Sequence, residues 1–155
     1  QEANVFRNLS VLDNLKLGHE FIASGGGKAL CQRLDAVLAL FPEIVPKLNV
    51  AAGLLSGGQR QMVAMGAALM PSPRLLALDE PSAGLSPLNA SRLFEVVQRV
   101  AQTGVTLFMI EQNTRLGLDA ADQGLVLVAG QVRARAPSQE LLANGQLQSL
   151  YLGAH

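Results

Sequence analysis

The sequence predicts an α/β protein whose helical first third leads into a mostly parallel sheet covered by helices on both faces. Three observations carry this. Apolar residues recur at helical spacing up to about residue 70. From Arg74 onward, short apolar runs at 75–78, 105–110 and 125–129 alternate with helical stretches. Strands that alternate with helices pair in parallel and bury both faces. The 155 residues are 49% hydrophobic and 15% charged, enough apolar material for a folded core rather than a disordered chain. The expected organisation is 1–70, a helical subdomain, followed by 71–155, the strand-bearing half.

Each element has its own signal. Ser10, followed by Asp13 and by Leu12, Leu15, Leu17 and Phe21, reads as a capped helix that stops before Ser24-Gly25-Gly26-Gly27. Leu30, Leu34, Val37, Leu38 and Phe41 share one face of a second helix ended by Pro42. Ser56 caps a third, running to about Met70, which Pro71-Ser72-Pro73 terminates. Met62, Met65 and Met70 are core filler on it. Pro87 just inside the start and Gly104 just past the end bracket the helix that follows the first strand. Gly130 turns the third strand into an antiparallel one, Gln131 to Arg135, and Ser138 caps a terminal helix.

Bulk properties exclude several functions. Twelve basic residues balance twelve acidic ones, so no overall field attracts nucleic acid. No apolar run approaches the roughly 20 residues needed to cross a bilayer, so no direct membrane span is expected. Cys31, the only cysteine, excludes an internal disulfide and fits a reducing compartment. His19 reads as a packed or solvated helix residue, and His155 is the last residue.

Two segments carry chemistry. In Leu55-Ser56-Gly57-Gly58-Gln59, a serine cap followed by two glycines leaves a helix N-terminus open to close approach by an anion, which the helix dipole favours. Ser-Gly-Gly alone would be an ordinary flexible cap; the whole pentapeptide is far more specific. In Leu75-Leu76-Ala77-Leu78-Asp79-Glu80, an apolar strand ends in two carboxylates at the edge where open α/β sheets bind ligands. There Asp79 can hold Mg²⁺ and Glu80 can polarise an attacking water, although acids before Pro81 also start ordinary loops.

The order of these segments, followed by Pro81-Ser82-Ala83-Gly84-Leu85, resembles the ATP-binding cassette (ABC) family from end to end. The resemblance implies a partial P-loop NTPase (RecA-like) core with an ABC helical subdomain. Leu55 to Gln59 would be the signature motif, which reaches across a dimer to the γ-phosphate held by a second ATP-binding subunit. Asp79 and Glu80 would close Walker B, with Asp79 on the Mg²⁺ side and Glu80 as the catalytic carboxylate. Ser82 to Ser86 would be the D-loop. Gln1 would be the Q-loop glutamine near the metal and water, with the loop after it facing transmembrane permease subunits. Gln112 stands where many members carry a γ-phosphate-sensing histidine; its amide donates a hydrogen bond but does not titrate near neutral pH. Gln112, Ser86 and Tyr151-Leu152-Gly153 resemble the subclass serving branched-chain amino acid uptake, peripheral on the cytoplasmic face of the plasma membrane.

The Walker A phosphate loop of the family is not found. Gly25-Gly26-Gly27-Lys28 fails because Ile22 stands at the first glycine position, Ala29 replaces the hydroxyl residue, and a helix precedes it. The chain therefore reads as starting at the Q-loop, after that motif, and is expected to be inactive alone and to associate through uncovered apolar faces. Two other readings share the motif order: a chromosome-maintenance or DNA-repair ATPase, whose coiled coil and basic surface are missing here, and a non-catalytic partner that donates Ser56 and Gly58 to another subunit's ATP.

Overall fold

The computed structural model describes residues 5–20 and 27–143. Gln1, the glycine run up to Gly26 and Tyr151-Leu152-Gly153 lie outside the described residues. Two compact units divide the chain, Gln1–Met109 and Ile110–His155.

In the first unit, α1 (Val11–Glu20) starts as expected, with the Ser10 hydroxyl accepting the Asp13 amide N–H at 3.1 Å. Its inward face carries Val11 and Leu15, both fully buried. A second helix, α2 (Gly27–Leu40), supplies Val37 to the same core, and Pro42 ends it. There the chain enters a 3₁₀ segment, Pro42–Lys47, whose Ile44 is buried beside Phe41 in the core. Met62, Val63, Met65 and Leu69 of α3 (Gly57–Leu69), followed by Met70, complete this cluster, so the methionines are core residues. Glycines let the helices approach closely. A Cβ at Gly66 would lie 2.8 Å from Leu15 Cδ2, and one at Gly18 would overlap the Ala67 carbonyl of α3.

Strand β1 (Leu75–Asp79) is joined by α4 (Pro87–Gln102) to β2 (Thr106–Ile110), with which it pairs. The Thr106 N–H donates to the Arg74 carbonyl at 3.0 Å, placing the two strand starts side by side, so the strands run in the same direction. Ser86 caps α4 through the Asn89 amide, and Gly104 beyond its end takes φ +88°. Leu93, Val96, Val97 and Val100 of α4 join Leu76 and Leu78 in the core.

Covering on both faces is not what the structure shows. Leu75, Ala77 and Asp79 face outward, as do Phe108 and Ile110 at 60% and 52% exposure. Among the described residues the strands pack on one face only, so burial alternates with the period of two of a half-covered sheet.

The second unit holds α5 (Thr114–Asp119), β3 (Gln123–Val128), β4 (Gln131–Pro137) and α6 (Ser138–Ala143). The two strands pair antiparallel, with Val128 opposite Gln131 across the two-residue turn Ala129-Gly130. Both turn residues have positive φ, 50° and 77°, as a type I′ hairpin requires. The turn thus falls at the expected glycine, and β4 runs two residues further than expected. Ala129→Gly is expected to raise stability by roughly 0.5–1 kcal/mol by relieving a left-handed alanine, read as an increase in Tm. The expected Ser138 cap does not form. Ser138 is already the first helical residue, its amide N–H donates to the Asp122 carbonyl at 3.1 Å, and its buried hydroxyl has no hydrogen-bond partner.

Candidate functional site

Ser56 ends an extended approach to α3, at φ −64° and ψ 162°, and caps it reciprocally. Its hydroxyl accepts the Gln59 amide N–H at 3.3 Å, and its own amide N–H donates to Gln59 Oε1 at 3.2 Å. This is the capping box that the three-residue spacing of Ser56 and Gln59 allows. Leu55 is buried beneath it, and the Arg60 guanidinium donates to the Leu55 carbonyl at 2.5 Å. The pentapeptide is thereby held at both ends: Leu55 in the core and Gln59 in the cap.

The two glycines are informative. A Cβ at exposed Gly57 would lie 3.4 Å from Leu85 Cδ2, and one at Gly58 would lie 3.7 Å from Asn89 Cβ. Both are ordinary packing distances, and neither residue has positive φ. The chain's own packing therefore admits a methyl at each position, exposed Gly57 and buried Gly58 alike. The same distances set Leu85 beside Gly57 and Asn89 of α4 beside Gly58. Leu85 lies in the segment expected to be the D-loop, whereas Asn89 is a bordering residue that sequence reasoning passed over, because an asparagine inside a helix gives no local signal.

Asp79 is the last residue of β1 and is exposed. Glu80 follows in the left-handed region at φ 44°, uncommon for a residue with a Cβ and concentrated at sites where the surrounding structure holds a side chain in place. Its carbonyl accepts the Ala83 amide N–H at 3.0 Å and Ser82's accepts Leu85's at 3.1 Å, so two overlapping turns over buried Pro81 carry the chain away from the carboxylates. Gly84, at φ +73°, completes the second. Asp79, Glu80 and the Leu55–Gln59 segment all belong to the first unit. Gln112 belongs to the second: exposed, just after β2, its carbonyl accepts the Thr114 amide N–H at 2.9 Å while Asn113 caps α5. Among the described residues, no three His, Cys, Asp or Glu side chains cluster as a metal cage.

The class of protein follows from the fold. Over 95% of this chain and 64% of the other, it superposes with a TM-score of 0.78 on the crystal structure of the ADP conformation of an ATP-binding cassette of an ABC transporter, at 26% identity. That is the P-loop NTPase fold. Residues 1–83, more than half of the chain, match the ABC transporter family, and the chain belongs to that family. It is 39% identical over 96% of its length to the high-affinity branched-chain amino acid transport ATP-binding protein BraG of Pseudomonas aeruginosa. It is 37% identical over 99% of its length to the probable branched-chain amino acid transport ATP-binding protein LivF of Archaeoglobus fulgidus. The lipopolysaccharide export system ATP-binding protein LptB of Escherichia coli is 29% identical over 99% of the chain. The chain spans 63% of BraG and of LptB and 64% of LivF.

Proposed function

We propose that this chain is part of the ATP-binding subunit of an ABC transporter, coupling ATP hydrolysis to uptake of branched-chain or other amino acids. Residues 1–70 form its Q-loop, helical subdomain and signature helix, and 71–155 the second half of its ATPase core. The observation that carries this reading is the capped, glycine-fronted start of α3, where methyl groups would fit but none is present. Such a helix start presents backbone N–H groups and a positive dipole end to phosphate. Ser56, Gly57, Gly58 and Gln59 then meet the γ-phosphate of ATP held by a second ATP-binding subunit, while buried Leu55 anchors the segment.

Asp79 fits a Mg²⁺ partner: it is an exposed oxygen donor, and Mg²⁺ is characteristically held by one or two carboxylates together with phosphate oxygens and water rather than by a full protein cage. Gln1 is assigned to the same metal and water. When bound, Mg²⁺ supplies charge neutralisation on the phosphates. Glu80 accepts a proton from the attacking water, and the Gln112 amide donates to the γ-phosphate. The chain's partners are a second cassette subunit and the permease subunits, with the complex on the cytoplasmic face of the membrane. Amino-acid uptake is favoured over lipopolysaccharide export because the two amino-acid transport relatives stand at 39% and 37% identity against 29%.

The test uses the division of labour between subunits. Mixed with an intact cassette protein whose own signature serine has been replaced, this chain is expected to restore turnover, and the Ser56→Arg variant is expected not to. Rescue unaffected by Ser56→Arg would contradict the proposal.

A further inference from the structure

Asn14 makes hydrogen bonds to four backbone groups, and no part of the proposed chemistry uses it. It is 4% exposed on α1, one turn from Val11 and beside Leu15. Its Oδ1 accepts the Phe6 amide N–H at 2.7 Å. Its Nδ2 donates toward the carbonyls of Phe6 at 3.1 Å, Ser10 at 2.9 Å and Leu9 at 3.4 Å. One amide side chain therefore closes residues 6–10 into a loop, satisfying backbone groups that burial would otherwise leave unpaired.

That loop is bonded in turn to the segment leading into Ser56. The Ala52 N–H donates to the Leu9 carbonyl at 2.9 Å and the Gly53 N–H to the Arg7 carbonyl at 2.8 Å. Ser10 and Ala51 form a bridge, and Val11 and Leu12 donate to the carbonyls of Val50 and Leu48 at 3.0 and 2.9 Å. The fit is close, since a Cβ at Gly53 would stand 2.9 Å from the Arg7 carbonyl oxygen. Two residues further on, buried Leu55 begins the capped pentapeptide. At the outer end of this connection, Phe6 and Leu54 are exposed at 60% and 80%, the places where a partner can push.

We infer that Asn14 is a positioning residue, holding loop 6–10 rigid so that a displacement at Phe6 and Arg7 is delivered through Ala52 and Gly53 to Ser56. The inference rests on the proposed function, in which the loop after Gln1 meets the permease and Ser56 meets a neighbour's ATP. A loop with its own hydrogen-bonded frame moves as a unit, whereas an unframed loop absorbs the push locally.

Two measurements test it. In this chain, Asn14→Ala is expected to accelerate amide hydrogen exchange at Ala52 and Gly53 by about tenfold while α4 exchanges as before. In the assembled transporter carrying this chain, Asn14→Ala is expected to lower permease-stimulated ATP turnover by about tenfold, with permease-free turnover and KM for ATP unchanged. Gly53→Ala disturbs the same connection from its exposed side without touching a buried group, and is expected to reproduce the loss even if Asn14→Ala folds poorly. Unchanged exchange at Ala52 and Gly53, unchanged stimulated turnover in both variants, or an equal fall in permease-free turnover would overturn the inference. Wild-type assemblies with no permease stimulation would defeat the functional reading and this inference with it. Normal wild-type stimulation with unaffected variants would defeat this inference alone.

Discussion

Glu80→Gln in the intact cassette is expected to lower MgATP turnover by about 10²–10⁴-fold, the usual worth of a positioned general base, with nucleotide affinity unchanged. Glutamine has the shape of glutamate and keeps an acceptor oxygen, but it does not take up a proton. The backbone at Glu80 is held at φ 44° by the turn that its carbonyl closes with Ala83, and neither feature depends on the carboxylate charge. Folding is therefore expected to survive, which isolates the chemical step. Phosphate release measured beside nucleotide titration separates the two effects. Turnover within tenfold of wild type would remove Glu80 from the catalytic role proposed for it. A parallel loss of nucleotide binding would mean that it holds the ligand instead.

Gly18→Ala is expected to destabilise the protein by about 3 kcal/mol, a fall in Tm on the order of 10 °C. Alanine is the better helix former by roughly 1 kcal/mol, so propensity alone predicts the opposite sign. Packing decides. The added methyl would overlap the Ala67 carbonyl, which is backbone and cannot rotate away, so α1 and α3 must separate and loosen the contacts of Leu15, Val37 and Phe41 around Gly66. Gly27→Ala, where nothing lies within 4 Å, is the control and is expected to leave Tm nearly unchanged. If the two variants unfold together, helix contact at Gly18 is not what limits stability.

The local half of the structure was legible. The spacing of Ser56 and Gln59 encodes the capping box, Pro87 and Gly104 bracket α4, and Gly130 marks the hairpin, because each depends on residues within a few positions of one another. Coverage of the strands was not legible. A run such as Leu75-Leu76-Ala77-Leu78 reads the same whether one face or both are packed, since only tertiary neighbours distinguish Leu76 from Leu75. Pro42–Lys47 passed unnoticed because Pro42 reads as a stop, whereas proline also suits the first position of a new turn of helix. Ser138 had the residue type of a cap but not the position. Asn14 did leave a signal: it is polar yet lies one turn from Val11 on the inward face of α1, where only a satisfied side chain is stable. For the site, motif order placed Ser56 to Gln59, Asp79-Glu80 and the loop carrying Leu85 on their elements, while the adjoining Asn89 required three dimensions.

The half-covered strands also set how the chain behaves as temperature changes. Leu75, Phe108, Ile110, Leu125, Leu127 and Val132 all stand more than half exposed on strands, and covering each would contribute about 1 kcal/mol. Together that rivals the net stability of a small domain. Near room temperature this drive comes from released water, so it weakens on cooling and strengthens with excluded salts such as sulfate. The dispersed chain is accordingly expected to be favoured in the cold and at low salt, and warming is expected to drive these strand faces toward apolar surface that covers them.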